Sequence, residues 1–408
     1  MGADSALTVE RESPAAGERA AEPPDRRLFV ISGQPLHTAG PGYTLTRLAE
    51  AMNQPSFRCH VFAPINRWGA GVVGVDVSVA GTAWNVFVDR ALFTAAPKAM
   101  IARAEEKFRR ALERSGAPGI VYTFGEISLE TSAFLHDRGY KVVREKYACG
   151  KRFAQEILTA AYEGLGLAPA HGITDAMVKK EAAELEMADA VFCPSPMVTQ
   201  SLTKFGIANG RLLPTSYGWE PRRFDGEARA LPPAEGPTLI FAGFVCVGKG
   251  AHILLEAWER AKSPGRLVLA GSIEPAIRER YAHILSRKDV LALGFRNDLP
   301  ALFRSSDWFI FPTLAEGGPL VTYEAAASGL PLILSRMGAG AFARDGVDGV
   351  VIDSQDPDAW ASVIAALPSR TAEREAFARN AVEHAADFTW ELVGARRREQ
   401  IRRLADAR

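Results

Sequence analysis

The chain has 408 residues, 47% hydrophobic and 24% charged, with Lys+Arg and Asp+Glu balanced at 48 each. That length exceeds the roughly 250–300 residues at which a single hydrophobic core stops growing, so two domains are expected, and the balanced charge argues against nucleic acid as a partner. Four cysteines, Cys59, Cys149, Cys193 and Cys246, lie far apart with no CxxC pair, which argues against a zinc site or disulfide framework and suits a reducing cytosol.

Residues 1–26 lack the apolar core of a signal peptide and read as a disordered leader; no apolar run approaches the ~18–20 residues of a membrane span. Order begins with the apolar strand Leu28–Ser32, the turn GQPLHTAGPGYT and a helix from about Leu45 to Met52. In this turn Gly40, Gly42 and His37 are candidates for contact with a ligand across a cleft. GPGY is half of a dinucleotide fingerprint without its third glycine, and a flexible turn with an exposed histidine is the plain alternative. Further strands are expected at Cys59–Ala63, Gly119–Thr123, Lys141–Arg144 and Ala190–Pro194. The helix Lys98–Arg114 carries Ile101, Ala104, Phe108 and Leu112 on one face and cations elsewhere. That suits a domain helix with a solvated face; weak peripheral contact with an anionic membrane is the other reading.

After the proline-rich ALPPAEGPT a second series starts: strand Leu239–Ala242, helix Ala251–Ala261, strand Arg266–Ala270, helix Glu274–Leu285 and strand Val290–Leu293. Within FAGFVCVGKGAHILLEAW, Lys249 and Gly250 stand immediately before a helix, where glycine backbone, helix N-terminus and ammonium together suit a phosphate. Next come strand Trp308–Pro312, a glycine-proline loop, helix Leu320–Ser328 and strand Leu332–Ser335. Pro319 suits the first helical turn and Gly329 the C-terminal cap. Glu316 and Glu324 flank the helix start, and the N–H groups of Gly317, Gly318 and Leu320 around Pro319 predict an anion site with the Glu316 carboxylate at its edge. Asp356, Pro357 and Asp358 match a DxD pattern but sit where a helix begins, as an N-cap and first turn rather than a metal site. No HExxH, GxSxG or P-loop pattern occurs, so zinc and triad hydrolases have no support. The alternation predicts an α/β chain of two doubly wound parallel-sheet, Rossmann-like domains with right-handed crossovers, joined near Pro214–Pro233 and facing each other across a cleft. The last helices, Thr371–Ala386 and Trp390–Leu404, are basic and amphipathic.

Several motifs in this order resemble a GT-B glycosyltransferase of the large retaining family four: ADAVFCPSPMVTQSLTKFG, LLPTSYGWEPRRF, the GKG loop, LGFRNDLPALFRSSDWFIFPT, the E-x7-E loop, DGVDGVVID and FTWELV. The resemblance implies a disordered leader at 1–26, an acceptor-side domain at 27–220, a nucleotide-sugar domain at 221–385 and a helix at 386–408 crossing back to the first domain. It implies retaining, metal-independent transfer of a hexose from a UDP- or GDP-type sugar to a saccharide or lipid-linked acceptor in surface polysaccharide assembly, with no cofactor, in the cytoplasm or at its membrane surface. By position, Lys249 would grip the diphosphate, Glu316 would contact the donor sugar, and Glu324 would hold the ribose. Gly243, Phe244 and the Gly317–Leu320 backbone would line the donor, with Gly294 and Phe295 near the base. The family's usual arginine is replaced by Phe244, with Arg296 and Arg336 as candidate substitutes; Gly318-Pro319 stands for Phe-Gly, and Trp219-Glu220 for Val-Asp. A nucleotide-sugar epimerase on the same architecture and a non-catalytic binding protein are the competing readings.

Overall fold

The computed structural model describes residues 26–66, 72–81, 86–116, 118–262 and 265–406. The expected leader lies outside these residues except for Arg26, which opens the first strand. Among them, two parallel sheets form from successive halves of the chain. The first holds β1 (Arg26–Ser32), β2 (Phe57–Ala63), β3 (Asp76–Val79), β4 (Ile120–Phe124), β5 (Lys141–Glu145), β6 (Ala190–Cys193) and β7 (Leu212–Pro214), in the order β3-β2-β1-β4-β5-β6-β7. The second holds β8 (Thr238–Ala242), β9 (Arg266–Ala270), β10 (Val290–Gly294), β11 (Trp308–Phe311), β12 (Leu332–Ser335) and β13 (Gly349–Ile352), ordered β10-β9-β8-β11-β12-β13.

Helices between the strands bury the sheet faces, so strands such as β8 (TLIFA) and β11 (WFIF) are continuous apolar runs, buried at every residue. The helix Pro97–Ser115 buries Met100, Ala104, Phe108 and Leu112, which joins its apolar face to the core; Ile101, placed on that face by spacing, is only half-buried. Two strands escaped the sequence pattern: β3, whose residues are half-buried or exposed at the sheet edge, and β7, which has only 3 residues. The expected helix Glu274–Leu285 is two pieces, Pro275–Arg280 and Ala282–Leu285, broken at Tyr281. The Asp-Pro-Asp segment is a helix start, with Asp356 Oδ1 accepting from Asp358 N at 3.0 Å and Asp358 paired with Arg260. No helix among the described residues is long and apolar enough to cross a membrane.

The chain passes between the sheets twice, and the two crossings run side by side. Trp219 N donates to Phe388 O at 3.0 Å, Trp390 N to Trp219 O at 3.4 Å, and Trp219 Nε1 to Ala385 O at 2.7 Å. A Cβ on Gly218 would lie 2.8 Å from Phe388 O, so this close pairing needs glycine. Trp219, which departs from the family pattern, thus staples the crossings together. The final helix, Trp390–Asp406, then lies on the Gly40–Met52 helix of the first domain, with Gly394 so close that a Cβ would meet Ala51 at 2.5 Å. It inserts Arg397, fully buried, beneath the first sheet against Glu145.

Candidate functional site

In each sheet the strand order reverses once, between β1 and β4 and between β8 and β11. Ligands of open α/β sheets bind beyond the carboxyl ends of the strands at such a switch point. The loop after β1 carries His37 and leads into Gly40 and Gly42 in the first turn of the Gly40–Met52 helix, which starts earlier than the expected Leu45; the loops after β8 and β11 carry Lys249 and Glu316. Sheet order therefore places the sequence candidates at the two crevices.

Lys249 ends a 3-10 turn, Val247–Lys249, that precedes the helix Ala251–Ala261. Its loop is stapled to the end of β11: Leu314 N donates to Gly248 O at 3.0 Å and Thr313 Oγ1 to the same carbonyl at 3.3 Å. Gly250 has φ +70°, and a Cβ there would sit 2.0 Å from Pro312 O, so the residue after the lysine must be glycine. This stapling brings the Lys249 ammonium into direct contact with Glu316 Oε1. Both side chains are partly open to solvent, at 28% and 16%. Across 67 residues of sequence, the cation and the carboxylate singled out by their loops form one ion pair.

The Glu316 loop also seals against the first domain. Cys149 N donates to Glu316 O at 2.8 Å, and Gly317 bridges Ala148. A Cβ on Gly317 would lie 2.0 Å from Tyr147 O, and one on Gly318 would lie 2.8 Å from Tyr217. The glycines permit close approach of protein to protein here. Pro319 is the N-cap of the helix Leu320–Ala327, one residue before the helical turn expected for it, and Gly329 follows the helix at φ +82°.

Glu324 is buried on that helix and accepts from Arg223 Nη1 at 3.3 Å. Burial raises its carboxyl above the usual range, opposed by the Arg223 charge. Arg223 also lies over the Tyr43 ring at 5.2 Å, so Tyr43 of the first turn of the Gly40–Met52 helix, Arg223 of the interdomain passage and Glu324 form a chain from one crevice to the other. Arg223 was not singled out in the sequence, although it sits in PRRF of the crossing segment.

The remaining candidates are more dispersed. Phe244 is 51% exposed and shares a cavity of about 400 Å³ with Lys249, Cys246, Glu274, Tyr162 and His171. Tyr162 of the first domain donates to Glu274 at 2.6 Å, and Glu274 accepts from Val247 N at 2.9 Å, a second tie between the domains that spacing did not reveal. Gly243 lies so near Gly271 that a Cβ on the latter would meet Gly243 O at 1.8 Å. Gly294 ends β10 at φ +67°, and Phe295 beside it is 75% exposed. Arg296 is held by Asp298 at 2.7 Å and Arg336 by Asp353 at 3.2 Å, so both candidate substitutes for the missing arginine already have carboxylate partners. In the first domain Gly42 sits where a Cβ would lie 2.2 Å from Pro35 O, Gly40 has φ +61°, and His37 Nδ1 accepts from Ala39 N at 3.0 Å.

With this geometry in place, residues 236–369 match the family model described as Glycosyl transferases group 1. Over this segment the chain is similar to the group 1 glycosyltransferases. The segment contains the Lys249–Glu316 pair and Glu324 and spans β8 to β13. The chain is 30% identical over 203 residues to the D-inositol 3-phosphate glycosyltransferase of Salinispora tropica, covering 46% of this chain and 42% of that one. It is 31% identical over 239 residues to the D-inositol 3-phosphate glycosyltransferase 2 of Catenulispora acidiphila, covering 52% and 55%. The chain thus spans about half the length of the curated relatives it matches. In structure it is similar to the Anabaena protein Alr3699/HepE, crystallised in complex with UDP, at TM-score 0.63 and 16% identity over 93% of this chain and 100% of that one. Sucrose-phosphate synthase from Thermosynechococcus elongatus is similar at TM-score 0.65 and 17% identity over 94% and 100%. The fold is GT-B, two parallel-sheet domains facing each other.

Proposed function

We propose that this chain is a metal-independent, retaining glycosyltransferase that moves a hexose from a UDP- or GDP-type sugar to a saccharide or lipid-linked saccharide acceptor. It would work in the cytoplasm, at the membrane surface where surface polysaccharide is assembled. The observation that carries this reading is the ion pair of Lys249 and Glu316 at the switch point of the group 1 segment. The names of the relatives, inositol-phosphate glycosyltransferases and a protein crystallised with UDP, support the same class of donor.

Each group is the other's counter-ion. A diphosphate entering beside the Ala251–Ala261 helix would take over Lys249, whose ammonium, with the helix N-terminus, stabilises the charge that develops as the C1–O bond to the diphosphate breaks. Glu316, released from the lysine, then faces the sugar, where a carboxylate steadies positive charge growing at C1. The acceptor oxygen bonds C1 as the diphosphate leaves with the electron pair, and the acceptor proton passes to a phosphate oxygen. Glu324, about one turn along the next helix and tied to Arg223, would hold the ribose hydroxyls.

The test is a screen of the purified chain with UDP-, GDP- and ADP-sugars and saccharide acceptors, reading release of nucleoside diphosphate. Lys249→Ala and Glu316→Gln should each lower transfer at least ~10²-fold while the fold survives. Unchanged turnover in both refutes the site. Conversion of the donor without an acceptor would instead identify an epimerase. Nucleotide-induced stabilisation with no turnover would identify a binding protein, the reading that Phe244 in place of arginine favours.

A further inference from the structure

At the opposite, amino-terminal ends of the second sheet lies a groove of about 350 Å³. It opens where β8, β9 and β11 begin, at Thr238, Arg266 and Trp308. Strands of 5 residues separate it from the Lys249 crevice by roughly 15 Å. The ionisable side chains lining it are Arg229, Arg266, Arg374 and Asp307, three cations with one anion. Asp307 is committed on both oxygens, Oδ1 to Arg374 at 2.7 Å and Oδ2 to Thr238 N at 2.8 Å. Arg266 spends Nη2 on Pro232 O and Thr238 Oγ1, at 2.9 and 3.1 Å, but its Nε is buried with no hydrogen-bond partner. Burial pulls Arg266 below the usual guanidinium range, with the neighbouring Arg229 charge adding to the effect and Asp307 opposing it. Thr371 at the rim starts a helix of 15 residues, Thr371–Ala385, whose N-cap, Arg370, gives it no side-chain cap, so its first N–H groups add positive potential to the groove.

Excess cationic charge and an uncapped helix start converge on one small cavity. We infer that this groove binds a small phosphate-bearing anion, inorganic phosphate or the phosphomonoester of a sugar, at a site separate from the donor crevice. Arg229, Arg266 and Arg374 supply the charge, and the cavity volume suits a ligand of that size. The placement gives the ligand leverage on both interdomain crossings. Arg229 belongs to the segment leading from the Trp219 crossing into β8, and the Thr371–Ala385 helix leads into the second crossing at Phe388. An anion bridging them ties the two connections together at one point.

The experiment is a titration of the full chain with inorganic phosphate and with glucose 6-phosphate, against chloride at matched ionic strength, read by thermal unfolding and by calorimetry. Phosphate is expected to raise Tm saturably in the millimolar range, in wild type and in Lys249→Ala alike. Arg229→Gln, an exposed change that leaves the core intact, should weaken binding at least ~10-fold, as loss of one charge-assisted bond does; Arg374→Gln should behave similarly. An equal shift with chloride, an Arg229→Gln protein that titrates as wild type, or a response that disappears in Lys249→Ala would each overturn the site, the last by assigning the phosphate to the donor crevice. Binding to vesicles bearing a phosphomonoester lipid, without binding of free phosphate, would overturn the small-anion ligand.

Discussion

Replacing Arg397 by methionine tests how the crossing helix is fixed to the first domain. The arginine is 0% exposed. It donates through Nη1 to Glu145 Oε2 at 2.6 Å and Tyr122 Oη at 3.3 Å, and through Nη2 to Glu145 Oε1 at 3.2 Å and Ser216 O at 3.1 Å. Glu145, equally buried, also accepts from the hydroxyls of Tyr122 and Tyr217 at 2.5 and 2.7 Å. Burial, with the Glu145 charge, raises both phenols, so they stay protonated donors. Arg397→Met leaves the Glu145 carboxylate buried beside two hydroxyls with no cation, and removing one partner of a buried pair costs about 3–5 kcal/mol. At roughly 2–4 °C per kcal/mol for a domain of this size, Tm should fall by about 6–20 °C. Glu145→Gln alone should also destabilise. The double variant should recover much of the loss, because a buried ion pair removed whole costs little. Urea unfolding of the four proteins gives the cycle. Single variants within about 1 kcal/mol of wild type, or strict additivity in the double, would refute the reasoning.

Burial pulls His252, beside the Lys249 loop, down to about 4 from 6.5, against the pull of Glu256 and Glu274. Between those pH values the unfolded chain binds the extra proton, so up to about 3 kcal/mol of stability present above pH 6.5 should drain away as pH falls to 4, and His252→Gln should flatten that slope in urea titrations. The Glu324 carboxyl is raised by burial above its ordinary 4.5, so its ionised form costs stability above the folded pKa. Glu324→Gln should therefore match or exceed wild-type stability at pH 7.5 in thermal unfolding, while nucleotide affinity drops in calorimetry. Gly250→Ala combines φ +70° with a Cβ 2.0 Å from Pro312 O, so a loss of about 2 kcal/mol or more, with transfer falling alongside it, is expected; wild-type Tm would contradict the stapled loop. Gly317→Ala, whose Cβ would lie 2.0 Å from Tyr147 O, should loosen the seam between domains and weaken donor-induced stabilisation.

The sequence alone carries the alternation of elements, because it is written in local terms. Apolar runs such as Leu239–Ala242 and Trp308–Phe311, bounded by glycine and proline, need no partner to be read as buried strands. Lys249 before its helix and Glu316 before the next are local too, and so are the Asp356 cap and the glycine after the Leu320–Ala327 helix. Weak local patterns went unread: half-exposed β3, the short β7 and the break at Tyr281. What only the tertiary structure decided is which distant groups meet. Lys249 reaches Glu316 because β8 and β11 are neighbours at the switch point, and a sheet order is a choice among long-range pairings that periodicity does not encode. Glu324 meets Arg223 across 101 residues and Arg397 meets Glu145 across 252, contacts set by how the two crossings pack. For the same reason sequence could not show that the glycines at 317 and 318, which suggest room for a ligand, also lie against the first domain, Gly317 on the Tyr147 carbonyl and Gly318 on the Tyr217 ring.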